Sequence, residues 1–293
     1  MKVLHLPVLQ AEVLDMLSPR KDGVYVDATV GPGGHAEQIM KCLGPAGRLI
    51  GIDRDEDALK IAGERLLDER VTLMRGEFSE VEGLLSQAGI SQVDGILFDL
   101  GLSMVQIRDP LRGFSFLSDE RLDMRMNKGQ KISAWDVVNR YSVKELERVL
   151  REFGEERLAR KIAQVIVNQR GKKTIDTCSE LAKIIAAVYV TRGKVHPATR
   201  TFQALRIEVN RELDQLAAGL DASVRLLKKG GRACVISYHS LEDRKVKHFF
   251  AENAKKGVIK ILTKKPLTPG QEERRTNPSS RSAKLRAAEK YDV

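Results

Sequence analysis

No stretch of this chain is both long and apolar enough to span a bilayer. Its first residues, Met1-Lys-Val-Leu-His-Leu-Pro, hold no long apolar run of the kind that opens a secretory signal. Only three cysteines occur, Cys42, Cys178 and Cys234. They are far apart and odd in number, which argues against a disulfide framework, and none has metal-ligand spacing. They read as small packing residues of a cytoplasmic protein, with no metal expected. The polar cluster Ser237-Tyr-His-Ser-Leu-Glu-Asp-Arg244 lacks a G-x-S-x-G elbow, so a hydrolase triad is rejected. No internal repeat is visible. What remains is 293 residues with 42% apolar content, enough for one large domain or a domain with an insertion.

The most informative stretch runs from Val24 to Gly34, Val-Tyr-Val-Asp-Ala-Thr-Val-Gly-Pro-Gly-Gly. A short β-branched run passes into Asp27 and then into Gly31, Gly33 and Gly34, followed by a helix-like segment. Strand, glycine turn and helix N-terminus together let backbone approach a nucleotide-like ligand closely. The spacing is not a dinucleotide fingerprint, since Ala36 stands where the third glycine belongs. On its own the turn reads equally well as tight packing of helix on sheet. Arg48-Leu-Ile-Gly-Ile-Asp53 then supplies a second strand ending in a carboxylate, about 20 residues past the glycines, where a ribose-binding acid belongs. Asp27 would repel a pyrophosphate but suits an ammonium or sulfonium, which favours S-adenosylmethionine over NAD.

Strands and helices alternate up to Asp99. The spacing predicts strands over Val24–Ala28, Arg48–Asp53, Val71–Met74 and Val93–Asp99, with helices over Ala36–Leu43, Asp55–Leu67 and Ser79–Ala88 between them. An amphipathic turn over Val8–Leu17, closed by Ser18-Pro19, precedes them. Such alternation implies a mostly parallel sheet with helices on both faces, and Asp27, Asp53 and Asp99 all fall at strand carboxyl ends, where ligands bind. The pattern stops after Asp99. A loop-like stretch over Gly101–Asn127 is followed by consecutive helices from Ser133 to Val190, among them Val143–Phe153, Glu155–Gln169 and Ser179–Val190, the last ending near Gly193. A helical insertion is implied. The α/β pattern resumes with one long helix over Thr199–Leu227, a strand over Arg232–Ser237 and a helix over His239–Ala254. Val258–Leu262 and Ala283–Glu289 could close the sheet antiparallel.

The net charge of +10 is unevenly placed: from Lys255 onward eleven Lys and Arg stand against four Asp and Glu. A segment so cationic attracts polyanions, nucleic acid being the usual one, although a solvated basic tail would look the same. Asp99-Leu-Gly-Leu-Ser103, at a strand tip, is the place for substrate chemistry. An exocyclic base amine is a poor nucleophile until acceptors on its N–H bonds aim its lone pair, and Asp99 could do this by position. A loop-capping acid would occupy the same place. Arg112-Gly-Phe-Ser-Phe116 and Leu122-Asp-Met-Arg-Met126 combine aromatic and cationic groups: Phe114 and Phe116 could stack on an extruded base while Arg112 and Arg125 hold phosphate. A self-packed loop is the alternative.

Taken together the chain resembles the MraW/RsmH family, the S-adenosylmethionine-dependent N4-cytosine methyltransferases of small-subunit ribosomal RNA. The resemblance runs nearly end to end. It rests on His5-Leu-Pro-Val-Leu9, Asp27-Ala-Thr with Gly33-Gly-His35, Asp99-Leu-Gly, Arg112 to Phe116 and Leu122 to Met126. It continues through Phe153-Gly-Glu-Glu156, His196-Pro-Ala-Thr-Arg-Thr-Phe-Gln203, His239-Ser-Leu-Glu-Asp-Arg244 and Asn277-Pro with Arg281-Ser-Ala-Lys-Leu-Arg286. The resemblance implies an α/β, Rossmann-like class I methyltransferase fold over residues 1–107 and 197–293, with an inserted helical substrate-recognition subdomain over 108–196. It implies that Gly33, Gly34 and His35 contact the methionine part of the cofactor and Asp53 the ribose. Phe78 would lie by the adenine, with Asp99 and Gln106 completing the pocket and Asp99 serving catalysis.

RNA contacts would fall to Arg112, Phe114, Phe116, Arg125, Arg200, Arg281, Lys284 and Arg286. The partner implied is small-subunit (16S) ribosomal RNA or the assembled 30S particle, with the enzyme a monomer or homodimer and no membrane involved. The chain departs from the family pattern in the substrate-side loop, at Met104-Val105, Arg108, Ser118-Asp-Glu-Arg121 and Asn127. An NAD-dependent dehydrogenase would bind NADH instead, and a non-catalytic RNA-binding protein on the same fold would bind RNA without transferring methyl.

Overall fold

A computed structural model describes residues 7–190 and 196–291, without the side chains of Met104, Arg108 and Pro110. His5 and Leu6 of the first family string, the start of the N-terminal segment, and the helix end expected near Gly193 lie outside the described residues, as do the side chains of Met104 and Arg108 among the loop departures. The chain divides into two compact units, Met1–Ser103 with Leu213–Val293, and Met104–Glu212.

In chain order, α1 (Gln10–Leu17) ends at Ser18, which takes a left-handed conformation (φ 48°) and donates its N–H to Leu14. Then come β1 (Val24–Asp27), α2 (Gly34–Cys42), β2 (Arg48–Asp53), α3 (Glu56–Arg65) and β3 (Val71–Arg75). A 3₁₀ turn at Phe78–Glu80 leads into α4 (Val81–Gln87) and β4 (Val93–Asp99). The second unit carries α5 (Met104–Arg108), α6 (Ala134–Arg140), α7 (Val143–Gly154), α8 (Ala159–Arg170), α9 (Cys178–Ala186) and α10 (Thr199–Asn210). The chain returns through α11 (Glu212–Leu226), β5 (Leu227–Ser237), α12 (Ser240–Lys255), β6 (Ile259–Ile261), α13 (Gln271–Thr276) and β7 (Lys284–Lys290).

The first unit holds a seven-stranded sheet ordered β3-β2-β1-β4-β5-β7-β6. β1 to β5 run parallel, while β7 is antiparallel to both β5 and β6, so the expected antiparallel closure is found. Both faces are covered, as a parallel sheet requires. Successive β4 residues alternate between two cores: Ile96 and Phe98 pack with Phe78, Val81, Leu85, Leu216, Leu220 and Phe250, whereas Leu97 packs with Val13, Leu17, Ile39 and Ala62. Each fully buried aliphatic side chain of this kind stabilises the fold by roughly 1.5–3 kcal/mol. The strand order reverses between β1 and β4, and that crevice at the carboxyl ends is where a doubly wound sheet receives its ligand.

The second unit has its own core, built from Leu146, Val149 and Leu150 of α7, Ile162 and Ile166 of α8, Leu181 and Ile185 of α9, and Phe202 and Leu205 of α10. Serine or threonine capping boxes start three of its helices: Ser133 with Asp136, Ser142 with Glu145 and Thr177 with Glu180. Periodicity predicts one helix over Thr199–Leu227, but the structure breaks it at Arg211, which is left-handed (φ 50°). The cause is tertiary. Asn210 is drawn into the loop before α6, where its Oδ1 accepts from Met126 N (2.8 Å) and its Nδ2 donates to Met124 O (2.8 Å). No glycine or proline marks the break, so propensity carries no sign of it. Among the described residues no helix is long and apolar enough to cross a membrane.

Candidate functional site

The ends of β1, β2 and β4 are brought side by side by sheet register: Asp27 pairs with Gly51 on one side and with Leu97 on the other. Beyond β1 the backbone turns sharply. Ala28 N–H donates to Leu97 O and Val30 N–H to Ile52 O, which ties the turn to both neighbours. Gly33 (φ 84°) is the N-cap of α2, a conformation that favours glycine. No side chain caps α2, so the helix presents its first amides to the crevice together with their partial positive charge.

Asp53 shapes this turn from the end of β2. Its Oδ2 accepts the Gly31 N–H (2.9 Å) and its Oδ1 the Asp55 N–H (2.8 Å). Burial raises its pKa, and these two amides act against that rise. Each oxygen retains a lone pair, so the carboxylate can accept from ligand hydroxyls as well. Asp27 is buried (1% exposed) and accepts from Thr29 N–H at 3.2 Å. Burial first, and then the neighbouring charges of Asp99 and Asp53, push its pKa up to about 8.

Asp99 sits at the end of β4, its side chain 22% exposed. Its backbone N–H donates to Thr29 Oγ1 (2.6 Å), and its Oδ1 accepts from the Tyr238 hydroxyl (2.8 Å). Nε2 of the buried His35 lies 3.6 Å from Oδ2. Burial raises the Asp99 pKa to about 7; the Tyr238 hydroxyl pulls it down and the Glu242 charge adds to the rise. A carboxyl poised there can hold or take a proton near neutral pH.

Aromatic side chains of the first unit pack near these strand ends. Phe78 packs edge-on to Phe98, with centroids 5.9 Å apart and planes at 83°. Gly219 of α11 makes this possible, because a Cβ there would lie 3.0 Å from Phe78 Cδ2 and 3.2 Å from Phe98 Cε1. In the first unit, therefore, Gly33, Gly34, His35, Asp53, Phe78 and Asp99 all lie on or beside the strand ends.

The remaining sequence candidates are placed differently. Gln106 is buried within α5 in the second unit. Arg112, given to phosphate by the sequence reading, is buried and donates from Nη2 to Met126 O (2.8 Å) and Arg125 O (3.3 Å). Arg125 forms a bidentate pair with Asp123 (2.8 and 2.7 Å) and donates to Gln130 O (2.8 Å). Both arginines hold the loop's shape. Phe116 stacks on His196 at 4.4 Å and meets Phe202 edge-on, and Phe114 packs against the same core. Lys284 and Arg286 share Asp243 (3.2 and 2.7 Å), Arg286 being buried. Arg200 and Arg281 are exposed. A charge in a string reads the same whether it faces solvent or an internal partner, which is why the sequence could not separate these cases.

The cysteines behave as packing residues. Cys178 and Cys234 are buried, and burial pushes each thiol up to about 12, far from a thiolate nucleophile. Two residues that engage Asp99, Thr29 and Tyr238, were not singled out from the sequence. Tyr238 follows β5, and only the register Asp99 with Ile236 brings it beside the β4 tip.

Comparison with known proteins is consistent along the whole chain. The MraW methylase family matches residues 2–291. Ribosomal RNA small subunit methyltransferase H of Persephonella marina is 50% identical over 293 residues, covering 98% of this chain and 99% of that protein. Its namesake from Caldicellulosiruptor saccharolyticus is 49% identical over 304 residues, covering 98% and 99%. Among solved structures, a candidate rRNA-methylase from Clostridium thermocellum aligns over 98% of this chain and 100% of its own, with TM-score 0.50 and 14% identity, a likeness of fold.

Proposed function

The chain belongs to the MraW methylase family, and from that premise we propose that it is a cytoplasmic S-adenosylmethionine-dependent enzyme that methylates the exocyclic N4 of a cytidine in small-subunit ribosomal RNA. The relatives named ribosomal RNA small subunit methyltransferase H support the substrate class. The observation that carries the chemistry is the convergence of Asp27, Asp53 and Asp99 on the glycine turn at the switch point of the sheet.

The residues present fit the cofactor. Burial disfavours the negative charge on Asp27 and Asp99, so a sulfonium bound beside them gains by favouring their ionised forms, which a pyrophosphate would oppose. Gly33, Gly34 and His35 at the α2 N-terminus would hold the methionine part, Asp53 the ribose hydroxyls and Phe78 the adenine. When bound, the cofactor supplies an electrophilic methyl carbon. Asp99 Oδ2 accepts an N–H of the target amine and turns its lone pair out of the ring plane. Backbone carbonyls of Leu100 or Gly101 take the second N–H. The amine proton becomes acidic as the new bond forms, and Asp99 is matched to receive it near neutral pH. No covalent enzyme intermediate is needed, since an amine attacks directly.

The helical unit serves substrate recognition in this reading. Arg112 and Arg125 keep the loop over 112–126 in shape, and phosphate contact falls to exposed cations such as Arg200 and Arg281. The decisive experiment is labelled methyl transfer to small-subunit particles and to naked 16S RNA from cells lacking the gene, followed by mapping of the modified nucleotide. Label on N4 of one cytidine is expected; label elsewhere, or none on either substrate, overturns the proposal.

A further inference from the structure

Asp99 is held at two points, and the second has a chemical consequence. Its backbone N–H is fixed by Thr29 Oγ1, and its Oδ1 receives the Tyr238 hydroxyl at 2.8 Å. Tyr238 is itself anchored. Its backbone N–H donates to Oε2 of the buried Glu242 (2.8 Å), and its ring lies against Gly101, where a Cβ would come within 3.3 Å of Cδ2. We infer that Tyr238 is a positioning residue for Asp99: it occupies Oδ1, stops the carboxylate from rotating, and leaves Oδ2 as the oxygen that meets the substrate amine.

The inference rests on the proposed role of Asp99 in methyl transfer. A carboxylate free to rotate would offer the amine either oxygen and several directions, whereas one tethered at Oδ1 offers a single lone-pair direction. The tether also tunes the acid. Burial and the charge on Glu242 raise the Asp99 pKa, and the Tyr238 hydrogen bond is what opposes them. Tyr238 stays a donor throughout, because burial and the adjacent Asp99 drive its own pKa well above 10. The titratable and charged groups around Asp99 in this unit are Tyr238 and Glu242 after β5, His35 at the α2 N-terminus, and Asp27 at the end of β1. Of these Tyr238 is the one that donates a hydrogen bond to Oδ1.

Tyr238→Phe keeps the ring and its packing on Gly101 while removing the donor. In the full-length protein labelled with carbon-13 at the aspartate carboxyls, the Asp99 resonance is identified by its loss in Asp99→Asn. Its titration midpoint is expected to rise by roughly one pH unit in Tyr238→Phe, the scale of losing one hydrogen bond to the charged form. In single-turnover methylation of small-subunit particles, the acid limb of the rate profile should move by the same amount, with cofactor affinity unchanged. A merely structural Tyr238 would lower the melting temperature and leave the midpoint where it was, and that result overturns the inference. If wild-type protein methylates neither particle nor RNA, the functional reading fails, and the carboxyl titration still decides whether Tyr238 governs Asp99.

Discussion

Asp27 offers the sharpest test of the electrostatics at the strand ends. It is 1% exposed, and its pKa is raised from 3.8 to about 8, chiefly by burial and then by Asp99 and Asp53. A carboxyl whose folded pKa lies above its unfolded value binds a proton more tightly in the folded state. Its contribution is therefore fully present below about pH 4, is lost as pH rises toward 8, and then levels off. A shift of this size corresponds to at most roughly 6 kcal/mol between the two limits. Asp27→Asn cannot ionise and should flatten that slope. It should melt several degrees above wild type at pH 8 and close to it near pH 4, measured by thermal unfolding across the range. Binding should move the other way. Without the buried acid, affinity for the cationic S-adenosylmethionine should fall by about 1–2 kcal/mol, while the neutral S-adenosylhomocysteine is hardly affected. Calorimetry of both ligands checks this. An Asp27→Asn variant destabilised equally at both pH values, or one that loses both ligands alike, would show that Asp27 is a packing residue and not a charge sensor.

Further outcomes follow from other parts of the structure. Gly219→Ala places a Cβ 3.0 Å from Phe78 and 3.2 Å from Phe98; overpacking should cost about 1–3 kcal/mol in unfolding experiments and weaken cofactor binding measurably. Asp53→Ala removes the acceptor for the Gly31 and Asp55 amides and should lower S-adenosylmethionine affinity by roughly 1–3 kcal/mol by calorimetry; normal affinity would take Asp53 out of the site. Neutralising the exposed Arg274, Arg275 and Arg281 to Gln should flatten the salt dependence of RNA binding, and an unchanged slope would leave α13 and its flank as a sheet-edge element only. Replacing Cys42, Cys178 and Cys234 by Ser or Ala should leave methyl transfer intact, and loss of transfer in a folded variant that still binds both substrates would rule out direct amine attack.

The sheet was legible because its strands are short apolar runs ending in carboxylates. Arg48–Asp53 and Val93–Asp99 have the same bounds in the sequence reading and in the structure. The crevice could be located for the same reason, since Asp27, Asp53 and Asp99 mark carboxyl ends that parallel pairing must bring together. What stayed hidden depends on tertiary partners. The break at Arg211 is set by Asn210 bonding to Met124 and Met126, far off in sequence. The Tyr238 contact depends on the β4–β5 register. α6 is one short helix inside a stretch read only as helical, and its capping box at Ser133 becomes clear once Asp136 is seen to close it. Arg112 and Arg125 look like phosphate ligands in the string, and only their carbonyl and carboxylate partners reveal that they brace a loop.

In the proposed reaction Asp99 performs the proton and alignment chemistry beside a bound sulfonium cofactor. The most direct test is single-turnover methyl transfer by Asp99→Asn with S-adenosylmethionine at saturation, so that any loss of affinity drops out. The cofactor complex should still form, with the transfer rate reduced by at least about a hundredfold. A saturated Asp99→Asn enzyme that methylates small-subunit RNA at the wild-type rate would contradict it.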